Sequence, residues 1–132
     1  MNYQQILIKA SNQLKLNNIK SPRLDSEMML AKTLDTCREE ILLNLNTKIN
    51  KPDLKKFKYY LNMRNNHKPI AYIVNFKFFW KYKFFVNKSV LIPRPETELI
   101  IEKILELLPV SSCKNILDIG TGSGCIAISL IK

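Results

Sequence analysis

The chain contains three glycines, and one short segment holds all of them: Gly120, Gly122 and Gly124. β-favouring residues around one acid precede this segment, and an apolar run over 125–130 follows it. This order predicts a buried parallel strand over 115–119, a tight turn and a helix. Because the chain turns elsewhere with Asn, Pro and Ser, we expect glycine here to let the backbone approach a bound ligand. The segment therefore predicts a cofactor-binding turn.

The composition is that of a soluble globular domain, with 46% hydrophobic and 24% charged residues. No apolar run approaches the roughly 20 residues of a membrane span, and the N-terminus lacks the pattern of a secretion signal. We expect a cytoplasmic monomer without a membrane partner. The cysteines are odd in number and form no C-x-x-C pair, and there is a single histidine, so we expect no metal site. The three cysteines, Cys37, Cys113 and Cys125, are predicted to be reduced and buried.

The formal net charge is +10, and the segment from Lys48 to Lys88 is basic throughout, with Asp53 as its acid. One interpretation is a basic surface that attracts an RNA-bearing or acidic partner. The other is codon bias, because Lys, Ile and Asn are abundant, arginine is scarce, and all three abundant types have A/T-rich codons. Both interpretations stay open at the level of sequence.

Apolar residues at spacings of three and four predict helices in the first half of the chain. The first runs from Tyr3 to Leu14 and ends at Asn17–Asn18, and the third and fourth cover 38–45 and about 50–65. Ser21 and Pro22 mark the start of the second helix. Its inward face is predicted to carry four apolar residues: Leu24, Met28, Ala31 and Leu34. Because such helices must bury their faces against each other, residues 1–66 are predicted to form a small helical bundle.

The pattern then changes to alternation, which predicts a two-stranded hairpin with lysines on its outer face and Trp80 near its turn. The inward residues are predicted to be Tyr72, Val74, Phe76 and Phe78 on one strand and Tyr82, Phe84 and Val86 on the other. An aromatic, basic hairpin could stack on nucleic-acid bases or fill the joint between two domains.

Two prolines enclose Arg94 in the segment Leu91–Glu98, and a helix is predicted from Glu96 to Leu108. The segment is either a simple helix start or a clamp that holds Arg94 and Glu96 beside the glycine turn.

Strand, Asp-x-Gly-x-Gly-x-Gly and helix are common to nicotinamide-binding and S-adenosylmethionine-binding folds. The acid at the strand end, Asp118, suits the cationic methionine portion of S-adenosylmethionine better than a pyrophosphate, by charge complementarity.

The chain resembles the release factor glutamine methyltransferases, the protein-(glutamine-N5) methyltransferases of the HemK/PrmC family. The Ile-Pro-Arg-Pro-Glu-Thr-Glu segment, placed at this distance before Leu-Asp-Ile-Gly-Thr-Gly-Ser-Gly, is more specific than either motif alone. Further matching segments run in the same order along the chain: 21–27, 68–73, 79–80 and 84–86.

The resemblance implies an α + α/β fold. It consists of an N-terminal helical domain (1–66), a hairpin linker (67–91) and the start of a doubly wound methyltransferase domain (92–132). It implies that S-adenosylmethionine binds at Asp118, Gly120, Thr121, Gly122, Ser123 and Gly124. The implied pocket wall is formed by Arg94, Pro95 and Glu96. Catalytic residues are expected downstream of this segment.

The implied reaction is N5-methylation of the glutamine in the Gly-Gly-Gln motif of peptide-chain release factors. The resemblance implies that the helical domain helps to recognise the release factor. It also implies that the protein acts in indirect proximity to the ribosome or RNA. The family's Asn-Pro-Pro-Tyr motif is absent from these residues. We therefore expect an N-terminal portion of such an enzyme, inactive by itself. The alternatives are a methyltransferase acting on DNA adenine or another amine, a non-catalytic module that binds release factors, and, more distantly, a nicotinamide enzyme.

Overall fold

The computed structural model describes residues 1–107 and 115–131, and the chain divides into two compact units, Met1–Val74 and Asn75–Lys132. The first unit is helical: α1 (Tyr3–Leu16), α2 (Pro22–Leu34), α3 (Arg38–Leu43), α4 (Lys51–Asn65) and α5 (Ile70–Val74). The second has strands β1 (Phe76–Phe79) and β2 (Tyr82–Phe85), a 3₁₀ turn (Pro95–Thr97), α6 (Glu98–Leu107) and α7 (Cys125–Ile131). Helix α5 extends the helical unit past the predicted limit at residue 66, and the three-part division stays a prediction.

Asparagine side chains begin the two longest helices. The Asn2 side chain accepts a hydrogen bond from the Gln5 backbone N–H at 2.9 Å, and the Gln5 side chain accepts one from the Asn2 N–H at 3.2 Å. At α4, the Asn50 side chain accepts a hydrogen bond from the Asp53 backbone N–H at 2.8 Å, and its amide nitrogen donates to the Asp53 carboxylate at 2.7 Å. Each cap satisfies backbone donors that the first helical turn leaves without partners. The predicted positions of α1 and α4 are confirmed, while α3 ends before the predicted Leu45.

Helices α1, α2 and α4 enclose the core of the first unit, and α2 packs against α1, α3, α4 and α5. The buried residues of α1 recur at helical spacing, as predicted: Ile6, Leu7, Ala10 and Leu14. These α1 side chains form one core with Phe57 and Leu61 of α4 and with Met29 and Leu30 of α2.

The predicted inward face of α2 is wrong at its first residue, since Leu24 is 43% exposed. Ala31 is buried as predicted, and the other buried residues of α2 are Asp25, Ser26, Glu27, Met29, Leu30 and Thr33. The two hydroxyl groups return hydrogen bonds to the helix itself, from Ser26 to the Pro22 carbonyl and from Thr33 to the Met29 carbonyl. Because α2 is enclosed by four helices, it buries more of its circumference than an apolar stripe predicts.

Two buried carboxylates of α2 are held by arginines. Asp25 pairs with Arg64 of α4 at 2.7 Å, and Arg64 also donates to the Lys68 carbonyl at 3.1 Å. Glu27 accepts from Arg23 at 2.5 Å and from Arg38 at 2.6 Å. The segments 21–27 and 68–73, which carry part of the family resemblance, thus tie α2 to α4 and to the start of α5. Arg64 lies within the basic segment from Lys48 to Lys88, but it belongs to this interior network and not to a basic surface.

The hairpin is shorter than predicted, because Tyr72 and Val74 lie in helix α5. Phe79 pairs with Tyr82 and Phe76 with Phe85, so Trp80 and Lys81 form the turn, as predicted. The predicted inward face of β1 is wrong. Phe79 and Phe84 are buried, whereas Phe78 is 62% exposed on the face that carries Lys83.

Phe79 and Phe84 form the second core with Ile101 of α6 and Cys125 of α7. The prediction for Cys125 is therefore confirmed, but that for Cys37 is wrong, because Cys37 is exposed at the residue that precedes α3. Cys113 and the predicted helix end at Leu108 lie outside the described residues.

The predicted strand over 115–119 is not formed. Residues 115–118 have no regular secondary structure, and Leu117 and Ile119 are 85% and 86% exposed. A strand requires a neighbour to pair its backbone groups, and the sheet of the described residues consists of β1 and β2 alone. Every helix within residues 1–107 and 115–131 is too short or too polar to span a lipid bilayer. The same residues contain no cluster of His, Cys, Asp and Glu that could hold a metal ion.

Candidate functional site

The glycine turn has three residues in the left-handed region of backbone conformation. The φ angles of Gly120, Gly122 and Gly124 are +78°, +57° and +75°. Residues with a Cβ adopt this region only at an energetic cost, so glycine is the residue that the turn requires. The Gly124 N–H donates to the Thr121 carbonyl at 2.9 Å, and the Gly124 carbonyl accepts from Ile128 N–H at 2.9 Å. The turn therefore leads directly into α7.

The surroundings of the three glycines differ. A Cβ added at Gly120 would meet no described atom within 4 Å, and one at Gly122 would meet the Gly120 carbonyl oxygen at 3.9 Å. A Cβ at Gly124 would lie 3.1 Å from Ile128 Cδ1. A side chain at Gly124 would thus press on the end of the Ile128 side chain, whereas the backbone at Gly120 and Gly122 is open to approach.

A cavity of about 550 Å³ lies against the backbone of Gly122. Gly122, Ser123 and Ile128 form one wall. The other wall comes from β2 and the segment after it: Tyr82, Lys83, Phe84, Phe85, Asn87 and Val90. Its volume lies in the range of about 300–1,000 Å³ that is typical of small-molecule sites. Sequence reasoning placed the turn in a cofactor site but missed the β2 wall, because no spacing in the sequence relates residues 82–90 to residues 122–128.

Two polar atoms at the turn are buried without a hydrogen-bond partner among the described residues, Asp118 Oδ2 and Ser123 Oγ. A buried polar group without a partner costs about 1–3 kcal/mol, so a ligand that donates hydrogen bonds would be stabilised here. A carboxylate and a hydroxyl beside an open glycine backbone fit a ligand with an ammonium group and hydroxyl groups, such as S-adenosylmethionine. This donor and acceptor set suits the cationic end of that cofactor better than it suits a phosphate.

Of the six residues predicted to bind the cofactor, Gly122 and Ser123 line the cavity, while Asp118, Gly120 and Gly124 do not. Thr121 is exposed in the turn between Gly120 and Gly122. The predicted wall residues Arg94, Pro95 and Glu96 are exposed. Among the described residues, these three do not line the cavity. Their role at a pocket wall stays a prediction.

Glu98, which follows this segment, has a role that the sequence did not indicate. Its carboxylate accepts a hydrogen bond at 3.0 Å from the backbone N–H of Trp80 in the hairpin turn. Trp80 has a φ angle of +54°, a conformation that tertiary contacts must hold. Glu98 therefore fixes the hairpin, and with it the β2 wall of the cavity, against the first turn of α6.

The second unit thus holds a hairpin and a glycine turn beside a ligand-sized cavity, and it follows a small helical unit along the chain. Residues 5–74 match the family described as the PrmC N-terminal domain, and the chain belongs to this family. The resemblance to release factor glutamine methyltransferases is thereby confirmed.

Curated relatives match over nearly the whole chain. A "Release factor glutamine methyltransferase" of Leptospira interrogans is 41% identical over 126 residues, which cover 95% of this chain and 44% of the relative. One of Buchnera aphidicola is 40% identical over 129 residues, with 93% and 47% covered. A "Bifunctional methyltransferase" of Rickettsia felis is 36% identical over 155 residues, with 97% and 29% covered. The chain thus spans between 29% and 47% of the length of these relatives.

Proposed function

We propose that this chain supplies the N-terminal half of an S-adenosylmethionine-dependent protein-(glutamine-N5) methyltransferase that modifies the Gly-Gly-Gln motif of peptide-chain release factors. The observation that carries the proposal is the 41% identity to a relative of that name, which extends through the glycine turn to cover 95% of the chain. The open backbone at Gly120 and Gly122 beside a ligand-sized cavity supports it independently. The protein acts in the cytoplasm as a monomer.

In this proposal, the chain holds the cofactor and does not perform the methyl transfer alone. When bound, S-adenosylmethionine supplies an electrophilic methyl group. Asp118 would accept hydrogen bonds from its cationic end, Ser123 would orient one of its hydroxyl groups, and the open backbone at Gly120 and Gly122 would permit close approach. Arg94, Pro95 and Glu96 form the pocket wall in the complete domain. Since an amide nitrogen is a weak nucleophile, the groups that position it decide the rate, and we expect them downstream.

The function is tested by methyl transfer from labelled S-adenosylmethionine to a purified release factor. We expect no turnover with residues 1–132 alone, and turnover once these residues are joined to the segment of the Leptospira interrogans relative that follows its matched region. Mass spectrometry should place one methyl group on the Gly-Gly-Gln glutamine. Methylation of DNA adenine without release factor methylation by this chimera would favour the alternative substrate and contradict the proposal.

Replacing Gly122 with valine should weaken S-adenosylmethionine binding by about tenfold or more. Because Gly122 lines the cavity, valine places a side chain at the cavity wall, and the strain of about 1–2 kcal/mol at a φ of +57° favours a turn conformation other than the one the cofactor requires. The binding constant is measured by isothermal titration calorimetry. Ser89→Val is the control, because Ser89 is exposed in the same unit and does not line the cavity. If the two variants bind S-adenosylmethionine with equal affinity, the glycine turn is not part of the cofactor site.

A non-catalytic role in binding release factors is the second candidate, because Met1–Val74 is a compact unit of its own. It predicts that residues 1–132 bind a release factor while S-adenosylmethionine binding is undetectable. If the chain binds S-adenosylmethionine and Gly122→Val abolishes that binding, the result favours the proposed methyltransferase function over the non-catalytic role.

A further inference from the structure

One face of the hairpin presents aromatic rings to solvent. Successive side chains of a strand point to opposite faces, and residues paired across two strands share a face. The outward face carries Phe76 and Phe78 of β1 together with Lys83 and Phe85 of β2. The opposite face packs into the second core. Because Phe78 is 62% exposed and Phe85 is 69% exposed, two rings of the outward face are open to a ligand.

Contacts within the outward face hold its side chains in place. The Phe76 and Phe78 rings lie edge to face, with centroids 5.6 Å apart and an angle of 79° between their planes. The ammonium group of Lys83 lies over the Phe76 ring, 4.1 Å from its centroid. These contacts order the side chains before a ligand arrives, and an ordered surface loses less conformational entropy on binding. The outward face is therefore preformed.

The hairpin and the segment after it are strongly basic. Residues 75–95 contain no acidic residue and five basic ones: Lys77, Lys81, Lys83, Lys88 and Arg94. None of the five forms an ion pair with a described acidic residue. The resulting positive field attracts phosphate groups. It also repels a second copy of this chain, whose formal net charge is +10, so it opposes self-association through the outward face.

We propose that the outward face binds unpaired bases of RNA. Bases stack on Phe78 and Phe85, and the adjacent phosphates lie against two exposed lysines of the hairpin, Lys81 and Lys83. Aromatic side chains are a general means of holding bases that lie outside a duplex. Unpaired bases are regular features of folded RNA, whereas double-stranded DNA keeps its bases inside the duplex. The inference rests on the hairpin and does not depend on the methyltransferase proposal.

The position of Lys83 favours a nucleic acid over a protein partner. Lys83 pairs with Phe78 across the two strands, so a charged group lies among the rings of the outward face and not at their border. The centre of a protein–protein interface is depleted of charged residues, because each charge there must be desolvated. Single-stranded nucleic acid instead brings a stacking base and an anionic phosphate in every nucleotide, so it engages both the rings and the lysines.

The test measures RNA binding by the 132-residue chain through fluorescence anisotropy. The probe is a fluorescein-labelled, unstructured RNA of about ten nucleotides. An abasic RNA of the same length keeps the sugar–phosphate backbone without the bases, and a duplex RNA of the same sequence encloses the bases. Single-stranded DNA of the same sequence and unlabelled poly-L-glutamate complete the set. These probes separate base stacking from attraction by charge.

The decisive variants alter Phe78, because it belongs to the outward face and does not line the cavity beside the glycine turn. Phe78→Leu keeps an apolar side chain but removes the flat ring, and Phe78→Trp supplies a larger ring. Tyr59→Leu is the matched control, because it removes an exposed ring from α4 in the first unit. Lys81→Glu tests the charge, and Lys20→Glu, at an exposed position of the first unit, is its control. Circular dichroism establishes that each variant is folded.

We expect the single-stranded RNA to bind at least about tenfold more tightly than the abasic and duplex RNAs. Phe78→Leu should lose about fivefold or more in affinity, since one stacking contact is removed, whereas Phe78→Trp should bind at least as tightly as the native chain. Lys81→Glu should lose about threefold or more, and added salt should weaken binding by the native chain. Tyr59→Leu and Lys20→Glu should remain within about twofold of the native chain.

Equal binding of the abasic RNA would overturn the inference, because it would show attraction by charge alone. An undiminished affinity of Phe78→Leu, or equal losses in Phe78→Leu and Phe78→Trp, would exclude stacking on this ring. Displacement of the labelled RNA by poly-L-glutamate as efficiently as by unlabelled RNA would identify an acidic protein as the better partner. Tighter binding of the DNA strand would contradict the assignment to RNA, as would no RNA binding at protein concentrations up to about 100 µM.

Discussion

Replacing Arg64 with methionine is expected to lower the free energy of unfolding of the helical unit by about 3–5 kcal/mol. The side chain of Asp25 is 4% exposed and that of Arg64 is 15% exposed, so the pair lies largely out of water. Removing the guanidinium leaves a buried carboxylate without its counter-charge, and also removes the hydrogen bond to the Lys68 carbonyl. The measurement is urea unfolding followed by far-ultraviolet circular dichroism.

Arg23→Met and Arg38→Met provide the controls for this prediction. Both arginines bind the buried Glu27, but their side chains are 45% and 44% exposed, and each variant leaves Glu27 with its other partner. We expect each to cost about 1 kcal/mol or less.

The double variant Asp25→Leu/Arg64→Met tests whether the unpaired buried carboxylate of Asp25 causes the loss of stability. Because it removes both buried charges together, it should recover a large part of the stability that Arg64→Met loses. If the double variant is as unstable as the sum of two damaging single changes, the loss comes from packing, and the argument from an unpaired buried charge is wrong.

Phe57→Ala is expected to destabilise the same unit by about 3–5 kcal/mol. Phe57 is 2% exposed and belongs to the core that joins α1, α2 and α4. Removing its ring loses the free energy of burying an aromatic side chain and leaves a space that helices on several sides cannot fill by small movements. The urea midpoint should fall, with an accompanying loss of helical signal at lower denaturant concentration.

Tyr59→Ala is the matched control for Phe57→Ala, because it removes an aromatic ring from the same helix. Tyr59 is 59% exposed, and its ring contacts Tyr60 with centroids 5.8 Å apart. We expect a loss of about 1 kcal/mol or less. Similar losses in the two variants would mean that helix propensity, and not core packing, governs the stability of α4.

The structure assigns the residues of the family resemblance to two different tasks. The segment 21–27 and Lys68 belong to the ion-pair network that holds α2, α4 and the start of α5 together. Glu98, at the end of the Ile-Pro-Arg-Pro-Glu-Thr-Glu segment, holds the hairpin turn. Motif residues in this chain therefore serve the construction of the two units as well as the proposed cofactor site.

The sequence by itself determined those features that depend on neighbours along the chain. Asn2 and Asn50 set the starts of α1 and α4 because their side chains bond to backbone groups three residues away. The spacing of Ile6, Ala10 and Leu14 was sufficient to orient α1. The conformation of the glycine turn follows likewise from residues that lack a Cβ.

Tertiary structure alone decided the features that depend on groups distant in sequence. Asp25 could become buried only because Arg64, on another helix, supplies its counter-charge, and no local pattern contains that pairing. Phe79, and not Phe78, faces inward because the register of the hairpin places it against α6 and α7. Ile116, Leu117 and Ile119 favour a strand, but no strand forms, because a strand's backbone groups need a partner that propensity cannot provide. The wall from β2 reaches the glycine turn for the same reason: long-range packing brings together residues that sequence spacing leaves unrelated.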